Sequence, residues 1–436
     1  MIDIKLIRDN PQLVKENIKK KFQQDKLALV EQVKKLDEEW REKKAELDGL
    51  RHERNLVSEQ INKTKKEKKP VDSLLKKARQ IPGKIQETED KTTELEQEIR
   101  ELMHQIPNII SKETPLGKDA SKNKEIKRGG KIPKFNFPVK THVELLESFK
   151  IADFDSSARV SGTGFYYLKN ELALLNQALI KFTIDFMKKK GYEYIETPLM
   201  LNKKSIFASM DKAAIENSVY SIKDEDLHLI GTAEQSLLAM HSGQILQESE
   251  LPKKYFSYSM CFRREIGAHG INEKGLWRTH QFNKIEQFIF CKPEDSIRLY
   301  DELFKNSEDI LKALELPYRV IEICSGDLGD WKYRSADFEV YRPIIKEYGE
   351  VMSLTNCTDY QARKLDIKCI DKQGNKRILH TLNDTALATS RILVAIIENF
   401  QQNGIIKIPK ALWKYTGFKE IKAKESKRRK EKNKER

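Results

Sequence analysis

Cys261-Phe-Arg-Arg-Glu-Ile-Gly-Ala-His-Gly270, continuing after four residues to Gly275-Leu-Trp-Arg-Thr-His-Gln-Phe-Asn-Lys-Ile-Glu286, reads as a strand, a polar glycine-containing loop and a returning strand. The return ends in the apolar run Gln287-Phe-Ile-Phe290. Strand side chains alternate between faces, so Arg263 and Glu265 are expected to project from the same one. Such a pair suits a nucleotide: the guanidinium can hold a phosphate bidentately and the carboxylate can accept from an adenine amino group. Taken alone, the stretch fits a surface hairpin with charged edges equally well.

Downstream and upstream of this hairpin the chain alternates helical and strand patterns. Leu172 to Lys190 is amphipathic at helical spacing and stopped by Gly191. Strand-like runs fall at 192–196, 227–230, 255–264, 282–290, 318–323, 337–341, 350–355, 369–371 and 378–383, several joined by hairpin-like connections. Mostly antiparallel strands with flanking helices indicate an α+β domain over 141–418, and neither a GxGxxG nor a P-loop is present.

Residues 27–106 have a different character. Leu29, Val33, Leu36, Trp40, Leu47, Leu50, Val57 and Ile61 follow a four-three alternation, with Lys43 and Arg54 in the two skipped places. After Lys65-Lys-Glu-Lys-Lys-Pro70 the alternation resumes through Val71, Leu74, Ala78, Ile81, Ile85, Thr88, Thr92, Leu95, Ile99, Leu102 and Ile106. Two matching seams around a polar turn predict an antiparallel coiled-coil hairpin, projecting into solvent and kinked at Pro82-Gly83. An N-terminal domain over 1–106 would then be followed by a loop-rich linker over 107–140. The end, 419–436, is dense in Lys, Arg and Glu and is expected to be a disordered basic tail.

With 436 residues the chain can hold two or three cores, and a net charge of +14 favours a polyanionic partner such as nucleic acid. The five cysteines form no CxxC pair and no Cys/His ligand spacing, which argues for reduced thiols and against structural zinc. No apolar run approaches the ~20 residues of a membrane span. Met1-Ile-Asp-Ile-Lys-Leu-Ile-Arg8 has neither a signal-peptide core nor transit-peptide composition. A cytoplasmic protein without membrane contact is expected.

Four stretches belong together: Gly191-Tyr-Glu-Tyr-Ile-Glu-Thr-Pro-Leu199, Gly231-Thr-Ala-Glu-Gln-Ser236, the Arg263/Glu265/Phe282/Glu286 hairpin, and Leu382-Asn-Asp-Thr-Ala-Leu-Ala-Thr-Ser-Arg391 running into an apolar helix. In order and spacing they resemble the three signature motifs of class II aminoacyl-tRNA synthetases together with a serine-binding Thr-x-Glu. The resemblance is to the seryl-tRNA synthetases and covers nearly the whole chain. It implies a class II antiparallel sheet with flanking helices behind the coiled-coil hairpin. It also implies an enzyme that activates L-serine with ATP and transfers the seryl group to the 3′ end of tRNA(Ser). Whether tRNA(Sec) is a further acceptor stays open.

Carried over by position, the resemblance assigns Thr232 and Glu234 to the amino and carboxyl groups of serine, Glu286 to its hydroxyl and amino group, and Asn383 and Thr385 to the side-chain pocket. Arg263 would hold the α-phosphate beside the serine carboxylate, with Arg264 next to it on the nucleotide. Glu265 would take the adenine amino group, Phe282 would stack on the ring, and Thr279 on the returning strand would offer backbone contacts. Glu350, Val351, Met352 and Ser353 would line the ATP phosphates, with Glu350 and Ser353 holding Mg²⁺. Arg391 would bind the γ-phosphate and, with Arg263, serve catalysis. The segment around Pro198 resembles the class II dimer-forming motif and implies a homodimer. The helical hairpin would lie against tRNA(Ser). The sequence departs from the family pattern at Asp384 and at Leu354-Thr355-Asn356, which puts the local pocket geometry in question without touching an assigned side chain. Two other readings are a paralogue loading a carrier other than tRNA and a non-catalytic RNA-binding scaffold. The long basic hairpin speaks against the first, and Arg263, Glu286 and Arg391 against the second.

Overall fold

The computed structural model describes residues 1–265 and 274–423. The chain divides into two units, Met1–Pro107 and Asn108–Arg436. Among the described residues no helix is long and apolar enough to cross a membrane.

The first unit is helical: α1 (Ile4–Asp9), α2 (Pro11–Lys20), α3 (Leu27–Lys66) and α4 (Asp72–Met103). At 1.5 Å per residue α3 is about 60 Å long. Its far half meets α4 through Leu47, Val57, Ile81 and Ile85, with Leu50, Ile61 and Ala78 packed alongside. Lys77 pairs with Glu53 and Arg51 with Glu89 across the two helices. The α4 seam buries Thr88, Thr92, Leu95 and Ile99 at the expected spacing. Near its start α3 departs from the seam: Val30, Val33 and Asp37 are buried, whereas Leu29 and Leu36 are only half so. There α1 and α2 also pack on it, so its buried stripe widens. Asp37 receives both Arg8 Nε (2.7 Å) and Nη2 (2.6 Å) in a fork that fixes α1 to α3. α4 continues as one helix through Pro82. Burial of Ala78, Ile81 and Ile85 against α3 offsets the one backbone hydrogen bond that proline removes.

The second unit is built on eight strands: β1 (Lys124–Gly129), β2 (Glu193–Tyr194), β3 (Lys253–Phe262), β4 (Gln281–Cys291), β5 (Tyr318–Glu322), β6 (Arg334–Arg342), β7 (Glu347–Thr358) and β8 (His380–Ala388). They lie in the order β1-β5-β6-β7-β8-β4-β3-β2. Every neighbouring pair is antiparallel except β2 and β3. Five helices of this unit matter below: α5 (His142–Phe149), α6 (Asn170–Lys189), α7 (Ala233–Ala239), α8 (Ser296–Ala313) and α9 (Thr389–Asn399). Ile285 and Ile289 of β4 and Leu382 and Ala386 of β8 join Leu175, Leu303 and Ile396 from α6, α8 and α9 in one apolar cluster. On the other face Phe288 and Phe290 are covered by Leu237 and Leu238 of α7. Where that cover stops, the same strand turns polar with Glu286, Lys284 and Phe282, and the sheet opens into a cavity.

Four expectations are corrected. β3 ends at Phe262, so Arg263 and Glu265 belong to the following loop, where Glu265 takes φ +52° and strand alternation no longer applies. Thr279 precedes β4 instead of lying on it. Within 107–140, read as loop, β1 pairs with β5 at the sheet edge. The basic tail is ordered at its start: Glu420–Lys422 pairs with Ile405–Lys407, and the rest of it lies outside the described residues. Leu47→Ala, which empties the helix seam at a 2 % exposed side chain, is expected to cost the first unit about 2–5 kcal/mol. A fall in the urea midpoint of its helical circular dichroism, with the second unit's transition unmoved, measures this.

Candidate active site

A cavity of about 430 Å³ opens on the polar face of the sheet. Backbone pairing puts its lining in rows: Glu286 opposite both Ser257 and Thr385, Asn383 opposite Thr355, and Ser353 opposite Asp337. Two slips of register extend those rows. The β6–β7 pairing skips Val351, so Glu350 and Ser353, three apart, both reach the cavity. The β8–β4 pairing skips Ala386, which lets Ala388 line it as well as Thr385.

One end of the cavity holds buried charge. Thr232, the cap residue of α7, donates through Oγ1 to Glu286 Oε2 (2.9 Å) and accepts from Lys284 Nζ (3.2 Å). Lys284 also pairs directly with Glu286. Glu234 Oε1 accepts from Gln361 Nε2 (2.8 Å) and Asn383 Nδ2 (3.1 Å). Burial, and then the nearby Glu286, push the Glu234 carboxyl up to about 7. Lys284 is matched by Glu286, and the two hydrogen bonds to Glu234 come from the neutral amides of Gln361 and Asn383.

The other end is cationic and aromatic. Arg263 donates from Nε to the Gly231 carbonyl (3.2 Å) and stands over the Phe282 ring at 5.3 Å. Glu265 pairs with Arg278 at 2.6 Å. Arg391 donates to the Glu350 carbonyl (2.8 Å) and pairs with its carboxylate (3.1 Å). Asp337, beside Ser353, keeps a buried Oδ1 that has no hydrogen-bond partner. Burial and the neighbouring Glu350 push its carboxyl up to about 7.

The cavity brings together Thr232, Glu234, Arg263, Glu265, Thr279, Phe282, Glu286, Glu350, Val351, Ser353, Asn383, Thr385 and Arg391. Two residues expected there stand elsewhere. Arg264 is exposed and turned toward the Glu216 carbonyl, and its amide donates to Ser218 whereas that of Arg263 donates to His280. Met352 is buried in the apolar cluster on the far side of β7. The departures from the family pattern divide the same way. Thr355 lines the cavity, whereas Asp384 points behind the sheet. There it accepts from Ser307 Oγ (2.5 Å) and Gln287 Nε2 (3.0 Å), and burial raises its carboxyl well above the usual range.

Sequence reading missed Lys284, Trp277, Arg278, Lys332 and Gln361. Lys284 was legible, since Phe282, Lys284 and Glu286 share one face of β4 by alternation. Gln361 was not, because it arrives from a separate helix, Tyr360–Leu365.

Two family models match the chain: the seryl-tRNA synthetase N-terminal domain over residues 1–110 and the class II core domain of the G, H, P, S and T synthetases over 218–400. Serine–tRNA ligase of Pyrococcus horikoshii is 43 % identical over 98 % of this chain and 99 % of its own length. That of Methanospirillum hungatei is 42 % identical over 97 % and 100 %. The chain belongs to the seryl-tRNA synthetases. Among solved structures, the P. horikoshii seryl-tRNA synthetase complexed with ATP superposes with a TM-score of 0.91 at 42 % identity, over 98 % of this chain and 100 % of that one. A cytoplasmic serine–tRNA ligase from Naegleria fowleri in complex with AMP gives 0.86 at 31 %, over 98 % and 99 %. As a seryl-tRNA synthetase the chain is an ATP-dependent aminoacyl-tRNA ligase on an α+β, class II fold.

Glu286 accounts for part of the Glu234 displacement, and burial for the larger part. Glu286→Gln should therefore lower the Glu234 midpoint from about 7 without returning it to the ordinary carboxylate range. Carboxyl-carbon NMR of the two proteins reads this; an unchanged or raised midpoint contradicts the assigned cause.

Proposed function

We propose that the cavity activates L-serine with ATP and passes the seryl group to the 3′ end of tRNA(Ser), as a serine–tRNA ligase does. The observation that carries the reading is the buried Thr232–Glu234–Glu286 cluster facing Arg263 across one cavity, in a chain 43 % identical to such a ligase. Glu234 would meet the serine ammonium, with Thr232 beside it. Glu286, Asn383 and Thr385 would hydrogen-bond and enclose the hydroxymethyl group. The same polar pocket discriminates by chemistry: alanine would leave those buried groups unpaired, and threonine needs room for an added methyl.

Arg263 would hold the α-phosphate beside the serine carboxylate. Phe282 would stack on adenine, Glu265 would accept from its amino group, Thr279 would lend backbone contacts, and Arg391 would take the γ-phosphate. A serine carboxylate oxygen then attacks the α-phosphorus in line, the bond to the β-phosphate oxygen breaks, and pyrophosphate leaves. The 3′-terminal hydroxyl of tRNA attacks the carbonyl carbon of the mixed anhydride, and AMP departs. The protein contributes positioning and charge placement, with no covalent intermediate on a side chain.

Glu350 and Ser353 offer hard oxygens, and the unpartnered Asp337 Oδ1 lies beside them. Among the described residues no three acidic, His or Cys side chains converge on a common point. That suits Mg²⁺, which keeps few protein ligands and rides on substrate phosphates. Bound there it would neutralise phosphate charge.

The helical hairpin of the first unit would carry the tRNA. Its Lys63, Lys65, Lys66, Lys68, Lys69, Lys76, Lys77 and Arg79 are exposed, with Lys69 and Lys77 also paired to Glu67 and Glu53, and would meet phosphate, reading the shape of double-helical RNA more than its bases. A homodimer is supported by the exposed Leu174 on α6 and by Leu199 and Met200 after Pro198. Five buried free thiols suit a reducing cytoplasm.

Serine-dependent exchange of pyrophosphate into ATP tests the activity, and its absence would sink the reading. Arg263→Ala should slow that exchange well over tenfold in a folded protein, since one charge-assisted donor at a reacting centre contributes ~3 kcal/mol. Replacing residues 30–104 by a short linker should leave exchange intact and abolish most aminoacylation. Equal charging by the truncated and full chains would overturn the role given to the hairpin.

A further inference from the structure

We infer that Trp277 is a positioning residue that fixes the Arg391 guanidinium for the triphosphate of ATP, and that Arg342, Glu398 and His142 hold Trp277 in place. The inference rests on the nucleotide site proposed above and deepens it. Trp277 lines the cavity yet has no role in the reaction as described.

Its ring is seated on the backbone of β7. A Cβ at Gly349 would fall 2.3 Å from Trp277 Cζ2, so the residue before Glu350 has to be glycine for the indole to lie there. Two guanidinium groups stand over that ring, Arg342 at 4.3 Å and Arg391 at 5.6 Å from its centroid. Among the described residues, the hydrogen bonds and ion pair of Arg391 go to Glu350. Both of those contacts reach a single nitrogen, Nη1, so the indole is what sets the plane of the guanidinium.

Two cations sharing one ring repel unless one is neutralised elsewhere. Glu398, with a fully buried side chain, does this for Arg342 through a fork from Nη2 (2.9 Å) and Nε (3.2 Å). Burial pushes the Glu398 carboxyl up, but the bonds from His142 and Arg342 outweigh it and hold it below the usual range. Arg391 and Glu398 are seven residues apart on α9, two turns along one face, so the helix presents one guanidinium to the cavity and its partner's counter-charge two turns away. The Arg342 charge is thus matched inside the protein, whereas the counter-charge of Arg391, Glu350, is half-exposed at the cavity, where an anion can compete for the guanidinium.

The backbone leading to Trp277 is pinned as well. The Leu276 amide donates to His142 Nε2 (3.2 Å), so that nitrogen is an acceptor and the ring proton sits on Nδ1, which donates to Glu398 Oε1 (3.0 Å). Gly275 has φ +148°, and a Cβ there would lie 2.5 Å from His142 Nε2. Neither approach tolerates a side chain at 275.

The test is pyrophosphate exchange with each substrate varied in turn. Trp277→Ala should raise the KM for ATP roughly tenfold while changing the KM for serine less than about twofold. Trp277→Phe, which keeps an aromatic face, should recover most of the loss. In an Arg391→Ala background Trp277→Ala should add less than about twofold, because both act at one place. Multiplying effects in that background, equal rises for both substrates, or a phenylalanine variant as poor as alanine would each overturn the inference. Should Trp277→Ala not fold, Arg342→Lys carries the same test: it keeps the charge but loses the planar fork, and should raise the KM for ATP and spare that for serine. Failure of the ligase reading itself would look different, as absent serine-dependent exchange in the unsubstituted chain.

Discussion

The alternation of side chains along β4 is the constraint on which the rest of the second unit depends. Ile285, Gln287 and Ile289 face the helices while Phe282, Lys284 and Glu286 face the cavity. Because β4 is hydrogen-bonded on both edges, to β3 and β8, neither set can shift without breaking ladder bonds across the centre of the sheet. Apolar packing behind therefore fixes polar geometry in front. Of the register slips in the sheet, those at Val351 and Ala386 fall beside the cavity, and each brings a further residue into it.

Charge is arranged with the same economy. Glu286 is satisfied internally by Lys284 and Thr232, so it stays oriented in the absence of substrate. Glu234 has only amide donors, and burial makes its ionised form unfavourable until a cation arrives. Under the proposed role of Glu234, an incoming ammonium would relieve that cost, and part of its binding free energy would come from removing an unfavourable state of the empty protein.

Most of this was legible in the amino-acid order. The two heptad seams marked α3 and α4, and three of the four motif stretches send polar residues into the cavity, whereas none of 191–199 lines it. What escaped has identifiable causes. Arg264 and Met352 follow from alternation applied as a block, when residues adjacent to a contact point the other way. Glu265 was placed on a strand that ends three residues earlier. The burial of Asp37 depended on Arg8 arriving from α1, and β1 depended on a free sheet edge. Neither partner is near in sequence, and local pattern carries no signal for either.

Asp384 carries a consequence beyond its own contacts. It interrupts, by one residue, the pair Asn383 and Thr385, and it is tied to Ser307 of α8 on the opposite side of a layer one backbone thick. The width of the amino-acid pocket is accordingly inherited from a helix no substrate can touch. Efforts to redirect such an enzyme toward another amino acid by redesigning only the walls that the ligand sees would leave half the determinants in place. The handle lies equally in the layer behind, where Asp384 ties β8 to Ser307 of α8 and to Gln287 of β4.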